Sequence, residues 1–378
     1  MNSIQQIEQW FKSKEWESFS FQNETWHAYL TGKSGMLNAP TGSGKTYALG
    51  LGILAEYLEN KTSQEHQKGI QALWITPIRA LAKEIESSLS DACEELDIPW
   101  SIGKRTGDTS ANERAKQKKS LPQILITTPE SLQLLLASKG YQKQFKSLKC
   151  IVNDEWHELL GSKRAVQMEL AHSRLKKVCP KLKIWGISAT IGNMEQAIEV
   201  LLGNDYHKKQ HALIIANIKK RIELKTILPD EVEKYPWAGH LGIKMLEKVI
   251  PIIQKSKTSL IFTNTRSQAE IWYQRLLEEA PELAGQIAMH HGSISRDLRD
   301  WVEEALHNSK LKAVVCTSSL DLGVDFRPVE TIIQIGSPKG IARFVQRAGR
   351  SGHQPGAISR IYFVPTHSLE IIESAALD

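Results

Sequence analysis

The sequence predicts an α/β protein of two domains, each a parallel β-sheet covered by helices on both faces. Three observations lead to this prediction. Short apolar runs of strand length alternate with helical patterns along most of the 378 residues, a pattern typical of a sheet that is buried on both faces. The alternation stops between about residues 206 and 240 and then resumes. A chain of this length is also expected to hold about two domains.

We therefore predict a first domain over residues 1–205, a linker over 206–240 and a second domain over 241–366. Residues 367–378 are expected to begin a truncated C-terminal helix, because an apolar stripe there has nothing after it to pack against. That stripe consists of Leu369, Ile372 and Ala376.

Composition narrows the class of protein. Apolar residues make up 41% and charged residues 24% of the chain, as in soluble globular proteins, and no apolar run reaches the roughly 18 residues of a membrane span. The four cysteines are scattered without a C-x-x-C pair, which indicates neither a disulfide framework nor a zinc site. We expect a reducing, cytoplasmic location without membrane contact. The net charge of +6 is compatible with a polyanionic partner.

The first predicted helix begins near Ser3, a candidate N-cap with Gln6 three residues later. The next feature is a glycine-rich loop, Ala39–Thr46, between an apolar strand and an apolar helix. In this context backbone N–H groups and a helix N-terminus face phosphates, the lysine reaches the β- and γ-phosphates, and the last hydroxyl binds Mg²⁺. The predicted ATP-binding residues of the loop are Thr41, Gly42, Ser43, Gly44, Lys45 and Thr46. Gln22 precedes Ala39 by 17 residues, and its amide is a candidate reader of the adenine edge.

Polar residues follow the predicted strands of the first domain, and functional residues are expected at this edge of a parallel sheet. The strands are predicted at Ala72–Thr76, Ser101–Lys104, Ile124–Thr127, Cys150–Asp154 and Lys183–Ser188. Asp154 is the candidate Mg²⁺ ligand, and Glu155 is the candidate for orienting and deprotonating the attacking water. Ser188 and Thr190 offer hydroxyls that could sense the segment up to His157.

The second domain repeats the strand and helix pattern without a second phosphate loop. Its strands are predicted at Ser259–Phe262, Ile287–Met289, Ala313–Cys316, Thr331–Ile335 and Arg360–Val364. Arg347 and Arg350 lie three residues apart, on one helix face. Because a hydrolysing phosphoanhydride needs cations for its developing charge, both arginines are candidates for that role.

Together these motifs resemble those of superfamily 2 helicases, from Gln22 to about Val364, and within them the DEXH-box, large-helicase-related (Lhr-like) group. The nearest resemblance is to the ligase-associated DEXH-box helicases of bacterial DNA repair. The residues that carry it are Asp154–His157, Pro236–His240, Phe262–Arg266, Cys316–Asp325 and Gln346–His353. Where many superfamily members end the last motif in Arg, this chain has His353, so the resemblance concentrates the arginine-finger role on Arg350.

The resemblance implies two RecA-like domains of the P-loop NTPase type, with ATP in the cleft between them. It implies that Asp325, with Gly323 beside it, contacts the ribose, that Gln346, Arg347 and Arg350 act at the γ-phosphate, and that Lys45 and Glu155 complete the catalytic set. It also implies a nucleic-acid-binding surface on both domains. The residues that we assign to this surface are Arg79, Thr106, Gly107, Thr128, Thr265, Arg266, His291, Gly292 and Thr317.

The expected function is that of an ATP- and Mg²⁺-dependent DNA helicase or translocase of a repair pathway, moving 3′-to-5′ on single-stranded DNA. The expected partners are single-stranded and tailed duplex DNA, with a DNA ligase and a nuclease of the same pathway, and the expected location is the nucleoid. Two alternatives stay open: an RNA remodeller on the same motor, and a nucleic-acid clamp that uses ATP as a switch.

Overall fold

The computed structural model describes residues 2–61, 68–77, 79–207, 210–218, 221–228, 242–321, 329–338, 340–351 and 358–377, without the side chains of Arg79, Ala80 and Leu377. The chain folds as two units, residues 1–218 and 219–378. Both are parallel α/β structures, as predicted.

The first unit contains a seven-stranded sheet in which every described strand pairing is parallel. Its strands are β1 (Ser34–Asn38), β2 (Ala72–Ile75), β3 (Ile102–Arg105), β4 (Ile124–Thr127), β5 (Cys150–Asn153), β6 (Lys183–Ser188) and β7 (His211–Ile215). The spatial order is β3-β4-β2-β5-β6-β1-β7. The central strands β2, β4 and β5 are fully buried, which explains why they appear in the sequence as continuous apolar runs.

Helices cover both faces of this sheet. They are α1 (Ser3–Ser13), α2 (Ser20–Leu30), α3 (Lys45–Glu59), α4 (Arg79–Glu95), α5 (Ala111–Lys119), α6 (Pro129–Leu136), α7 (Tyr141–Phe145), α8 (Trp156–Leu159), α9 (Lys163–Val178) and α10 (Met194–Leu202). Successive strand residues enter different cores: Leu37 and Trp74 belong to one, and Met36 and Leu73 to the other. This alternation is what a sheet with two buried faces requires.

The predicted cap of the first helix was wrong by one residue. Asn2 is the N-cap: its side chain accepts a hydrogen bond from the Gln5 N–H at 2.8 Å, and the Gln5 side chain accepts one from the Asn2 N–H at 3.1 Å. The Ser3 hydroxyl instead donates to Glu59 at 2.8 Å. Asn is as good an N-cap as Ser, so residue type did not decide between adjacent positions.

The second unit contains a six-stranded sheet, also parallel in every described pairing. Its strands are β8 (Ile222–Thr226), β9 (Ser259–Phe262), β10 (Ile287–His290), β11 (Ala313–Cys316), β12 (Thr331–Ile335) and β13 (Ser359–Val364). Its helices are α11 (Leu246–Lys255), α12 (Arg266–Glu279), α13 (Arg296–His307), α14 (Ile341–Ala348) and α15 (Ser368–Leu377). The spatial order is β10-β11-β9-β12-β13-β8.

The segment predicted as a linker, 206–240, is more than a connector. It holds β7, which pairs with β1 at the edge of the first sheet, and β8, which pairs with β13 at the edge of the second. Both strands are only partly buried. Because edge strands have one unpaired side and face solvent more, they lack the continuous apolar run by which the central strands were found.

The last helix, α15, packs through polar side chains. Glu370 and Ser374 are buried, whereas Leu369 and Ile372 of the predicted stripe are 53% and 69% exposed. The Glu370 carboxylate accepts hydrogen bonds from the N–H groups of Ser337 and Thr366, both at 2.6 Å. The apolar stripe of α15 therefore has no covering element among the described residues.

All four cysteines are buried free thiols. Within the described ranges, no helix is both long and apolar enough to cross a membrane.

Candidate functional site

The glycine-rich loop joins β1 to α3 at the carboxyl edge of the first sheet. Gly42 and Gly44 both have left-handed backbones, with φ of 78° and 80°. A Cβ on Gly44 would lie 2.8 Å from the Gln22 side-chain nitrogen. Glycine is therefore required here both by backbone conformation and by space, and α3 begins directly afterwards at Lys45.

Gln22 lies against this loop, as its sequence offset suggested. Its side-chain N–H donates to the Gly44 carbonyl at 3.2 Å, and its side-chain oxygen accepts from the Phe19 N–H at 2.9 Å. Gln22 thus fixes the last glycine of the loop. An amide retains one further N–H and one further lone pair, which are the groups that a base edge would use.

Three charged side chains predicted for catalysis meet beside the loop. The Lys45 ammonium lies 3.4 Å from Glu155 Oε1; the Glu155 side chain is buried and the Lys45 side chain is 10% exposed. Asp154 follows β5 and accepts two hydrogen bonds: one from the Trp74 indole N–H at 3.2 Å and one from the Glu155 N–H at 2.9 Å. The structure therefore brings Lys45 to the adjacent pair Asp154 and Glu155, although Lys45 and Glu155 are 110 residues apart along the chain.

Glu155 has a left-handed backbone, with φ of 46° and ψ of 49°. This conformation is uncommon for a residue with a side chain and costs of order 1 kcal/mol or more. It turns the chain between the end of β5 and α8, so that Asp154 and Glu155 point toward the loop residue Lys45 from adjacent positions. Strain at this position is thus associated with the acidic pair rather than with packing alone.

Burial and the neighbouring Glu155 charge raise the pKa of the Asp154 carboxyl from 3.8 to about 7, while Lys45 opposes the shift. A buried carboxyl pair with one nearby lysine is short of positive charge. Hard divalent cations such as Mg²⁺ take carboxylate and hydroxyl oxygens. Asp154, with Thr46 one residue after Lys45, therefore fits a Mg²⁺ site, and the glycine backbone of the loop fits a phosphate.

His157 connects this acidic segment to the end of β6. Its Nδ1 lies 2.9 Å from the Ser188 hydroxyl and 3.4 Å from Glu155 Oε2. Burial lowers the pKa of His157, although the adjacent Glu155 opposes the shift. The Thr190 N–H donates to Ser188 at 3.3 Å. The three residues predicted to couple hydrolysis to motion, His157, Ser188 and Thr190, are thus in one hydrogen-bonded chain.

The predicted nucleic-acid residues of the first unit lie at the same edge of the sheet, after β3 and β4. The Arg114 guanidinium donates to the carbonyls of Thr106 and Gly107, at 3.1 and 2.8 Å, and so holds the loop that contains them. Thr128 is the N-cap of α6, where its hydroxyl accepts from the Ser131 N–H at 3.4 Å. Arg79 begins α4, but its side chain lies outside the described part.

In the second unit, the predicted surface residues follow β9, β10 and β11, three adjacent strands. Thr265 is the N-cap of α12, and the Arg266 guanidinium donates to the Ser293 hydroxyl at 2.9 Å, directly after Gly292. The Thr317 N–H donates to the His290 carbonyl at 3.3 Å, next to His291. These hydroxyls, arginine and histidine therefore occupy one continuous edge.

Arg347 and Arg350 were predicted to share one helix face, but α14 ends at Ala348 and Arg350 lies in the turn that follows it. Arg347 is 1% exposed and donates to both Asp321 oxygens at 2.7 and 3.2 Å and to the Gln334 oxygen at 2.7 Å. Its guanidinium also lies 4.6 Å from the centre of the Phe262 ring. Arg347 is thus fully engaged within its own unit.

The other members of that motif are also buried. The Gln346 side-chain nitrogen has no hydrogen-bond partner among the described residues, and the Arg350 N–H donates to the Arg347 carbonyl at 2.9 Å. Gly323 and Asp325, assigned to the ribose, lie outside the described ranges, as do His353 and the motif Pro236–His240.

Comparison with known proteins identifies the family of the chain. Residues 19–197 match the DEAD/DEAH box helicase family, and residues 241–354 match the helicase conserved C-terminal domain. The ATP-dependent helicase Lhr-Core of Sulfolobus acidocaldarius is 34% identical over 385 residues, which cover 98% of this chain and 44% of that protein. This chain belongs to the Lhr-like group of superfamily 2 helicases.

Two bacterial Lhr helicases are also similar to this Lhr-like chain. The Escherichia coli Lhr helicase/uracil glycosylase is 28% identical over 97% of this chain and 27% of that protein. The structure of Mycobacterium smegmatis helicase Lhr bound to ssDNA and AMP-PNP superimposes with a TM-score of 0.81 and 30% identity, over 98% of this chain and 48% of that one. The chain therefore spans less than half the length of these relatives.

Two residues of the Lhr-like site were not found from the sequence. Trp74 was assigned only to an apolar strand, yet its indole N–H binds Asp154. Arg164 of α9 pairs with Glu130 at 2.6 Å and donates to the Pro77 carbonyl at 3.2 Å, so it joins the ends of β2 and β4. Neither contact has a local sequence pattern, because the partners lie 80 and 34 or more residues away.

Proposed function

We propose that this chain is a nucleic-acid-stimulated ATPase that moves along single-stranded DNA. The observation that carries the proposal is the meeting of Lys45, Asp154 and Glu155 beside a glycine-rich loop whose conformation suits a phosphate. Family membership adds to it, since the relatives are named ATP-dependent helicases.

In the proposed reaction, the loop from Thr41 to Gly44 holds the phosphates of ATP through backbone N–H groups, and Ser43 lies within it. Lys45 exchanges its contact with Glu155 for the β- and γ-phosphates. Mg²⁺ bound by Thr46 and Asp154 would neutralise phosphate charge. Glu155, released from Lys45, orients the attacking water and takes its proton.

The Gln22 amide is proposed to contact adenine with the groups that the loop leaves available, and Gly323 and Asp325 are proposed to contact the ribose. Of the predicted cations, Arg350 is proposed to act on the developing γ-phosphate charge, as the sequence already suggested, with Gln346 near it. Arg347 takes a positioning role, because Asp321 and Gln334 already occupy its guanidinium. His157, Ser188 and Thr190 are proposed to transmit phosphate loss to the end of β6.

The path that the DNA strand follows over the protein, called the track below, is proposed to consist of groups at the strand ends. These groups reach backbone phosphates rather than bases. In the first unit these are Arg79, Thr106, Gly107 and Thr128; in the second they are Thr265, Arg266, His291, Gly292 and Thr317. We further propose 3′-to-5′ movement, a role in DNA repair, and a DNA ligase and a nuclease as partners. These finer proposals come from the resemblance to ligase-associated helicases.

The test is the steady-state ATPase rate without nucleic acid and with single-stranded DNA, duplex DNA or single-stranded RNA. We expect strong stimulation by single-stranded DNA and weak stimulation by RNA. Equal stimulation by both would favour the RNA remodeller, and binding without turnover would favour the ATP-switched clamp. Directional movement is tested separately, by displacement of a strand from 3′-tailed and 5′-tailed duplexes.

A pair of matched variants tests the chemistry. Glu155→Gln is expected to bind ATP and DNA but to abolish turnover, because the phosphate contacts survive and water activation does not. Glu158→Gln makes the same change three residues later, where the carboxylate lies 3.5 Å from His157 and forms no ion pair with Lys45, among the residues that the structure describes. It should retain most of the rate. Similar rates for the two variants would remove Glu155 from the proposed mechanism.

A further inference from the structure

The first unit contains a cavity of about 1350 Å³ that the proposed ATPase does not use. It lies where four strands begin, since its lining includes Ser34 of β1, Lys149 just before β5, Lys183 of β6 and His211 of β7. The glycine-rich loop and Asp154 follow the other ends of β1 and β5. The cavity and the candidate nucleotide site are therefore at opposite edges of one sheet.

The lining of the cavity is rich in positive charge. Its charged lysines and carboxylates are Lys68, Lys146, Lys149, Lys181, Lys183, Glu56 and Asp205. Both carboxylates are already paired: Glu56 lies 2.8 Å from Lys183, and Asp205 lies 2.9 Å from Lys176. Lys183 and Lys176 thus neutralise the two carboxylates. With five lysines and two carboxylates, the lining carries a net positive charge.

Three of the lysines, Lys68, Lys146 and Lys181, are exposed at the cavity and form no ion pair within the ranges that the structure describes. A concave surface whose net charge is positive attracts anionic ligands, because its low-dielectric walls focus the electric field. His211 also lines the cavity, with its ring stacked on Tyr206 at 4.7 Å, and its buried Nδ1 has no hydrogen-bond partner among the described residues. Both features favour an anionic ligand with acceptor or donor oxygens.

The arrangement of the charges distinguishes an extended anion from a compact one. Lys68, Lys149 and Lys181 precede β2, β5 and β6, which are consecutive in the sheet, and β1 and β7 continue the row to His211. Neighbouring strands are about 4.8 Å apart, so the charges are spread along a line instead of converging on one point. Lysine ammonium groups bind phosphate as point charges, without the fixed geometry of arginine.

We propose that this cavity binds the phosphodiester backbone of a nucleic-acid strand, as a contact separate from the proposed track at the carboxyl edges of the strands. The proposal rests on the proposed function in one respect, namely that nucleic acid is the substrate. Such a contact would hold a second segment of the strand, or a second strand, on the far side of the first unit.

The first experiment is lysine footprinting. The nucleotide-free chain is treated with an amine-acylating reagent, with and without a 30-nucleotide oligothymidylate, and each lysine is quantified by mass spectrometry. We expect Lys68, Lys146 and Lys181 to be protected several-fold by the DNA. The controls are Lys255, Lys257 and Lys310, three exposed lysines that lie two to four residues before strands β9 and β11 of the second sheet. Absent protection, or equal protection of both sets, would overturn the proposal.

The second experiment uses matched triple variants. Replacing Lys68, Lys146 and Lys181 by alanine should reduce the slope of log affinity against log salt by about 2, since each neutralised phosphate contributes about 0.7 on single strands. The same replacement of Lys255, Lys257 and Lys310 changes the net charge equally and should leave the slope unchanged. Both variants should keep the ATPase rate measured without nucleic acid. Equal slopes for the two variants would contradict the proposal.

Competing ligands separate the sources of negative charge. Inorganic tripolyphosphate and polyglutamate are added in place of DNA at the same concentration of negative charge. Stronger protection by DNA than by either competitor supports a nucleic-acid strand as the ligand. Equal or stronger protection by tripolyphosphate would indicate a small oligophosphate, and equal or stronger protection by polyglutamate would indicate an acidic peptide. Either of these results would overturn the proposal. If the unaltered chain showed no stimulation of its ATPase by DNA, the proposed function would be rejected. The footprint result would still stand as a test of the cavity.

Discussion

At the scale of single residues, the site depends on side chains that control an acidic pair. Trp74 donates its indole N–H to Asp154, and both residues are buried. A hydrogen bond to a charged group contributes about 1.5–3 kcal/mol. Because the donor favours the ionised carboxylate, Trp74 should make Asp154 a better Mg²⁺ ligand.

We expect Trp74→Phe to weaken Mg²⁺-dependent nucleotide binding about tenfold or more, as a loss of 1.4 kcal/mol or more implies. Binding without Mg²⁺ should change little. The measurement is a fluorescent-nucleotide titration with and without Mg²⁺. Trp185→Phe is the control, since that buried indole donates to the Lys33 carbonyl at 2.9 Å instead. An equal loss in both variants would indicate a packing effect rather than a contact with Asp154.

The raised pKa of Asp154, about 7, predicts a pH dependence. Mg²⁺ must displace the proton, so Mg²⁺-dependent nucleotide affinity should rise by up to about tenfold per unit below pH 7 and level off above it. Titrations from pH 5.5 to 8.5 provide the measurement. Without ligand the sign is reversed: the folded chain holds a proton that the unfolded chain has lost, so this group's stabilisation falls as pH rises from about 4 to 7. A flat affinity profile would contradict the assignment of Asp154.

At the scale of secondary-structure elements, Arg347 lies in the last turn of helix α14, and Arg350 lies in the turn after that helix. Arg347 is bound by Asp321 and Gln334, 26 and 13 residues away along the chain. Removing one partner of a buried ion pair costs about 3–5 kcal/mol. Arg347→Ala should therefore lower the thermal stability of the second unit, and Asp321→Asn in the same chain should restore part of it.

Arg350→Ala, in the turn after α14, should behave differently. We expect ATP affinity and stability close to those of the unaltered chain, with turnover reduced by about 10³–10⁵, the effect of removing an arginine finger. Thermal unfolding and ATPase rates measured together distinguish the two arginines. A stable Arg347→Ala variant with lost turnover would return the role at the γ-phosphate to Arg347.

These elements also show what a sequence can predict. The phosphate loop and the buried strands were found because their chemistry is local: glycines in series, or a run of apolar residues before Asp154. Edge strands β7 and β8 were missed because solvent exposure removes the apolar run. The difference between Arg347 and Arg350, like the partner of Trp74, is fixed by contacts between distant segments, and residue spacing carries no information about them.

At the scale of the whole molecule, the two units have separate cores and complete sheets. The first unit ends after β7, at Ile218, although the sequence placed its boundary at residue 205. Residues 206–218 therefore belong to the fold of the first unit, because β7 covers the open edge of β1. This difference in the boundary can be tested directly with fragments.

A fragment of residues 1–218 should fold and bind Mg²⁺-nucleotide, because the loop, Asp154 and Glu155 are all within it. It should show no DNA-stimulated turnover, since Arg350 belongs to the second unit. A fragment of residues 1–205 keeps the same site but loses β7, which leaves the backbone of β1 unpaired at an edge. We expect this shorter fragment to melt at a lower temperature and to aggregate. Circular dichroism melts, nucleotide titrations and ATPase rates are the measurements. Equal stability of the two fragments would show that β7 is dispensable, and full turnover by residues 1–218 would show that the first unit needs no cation from the second.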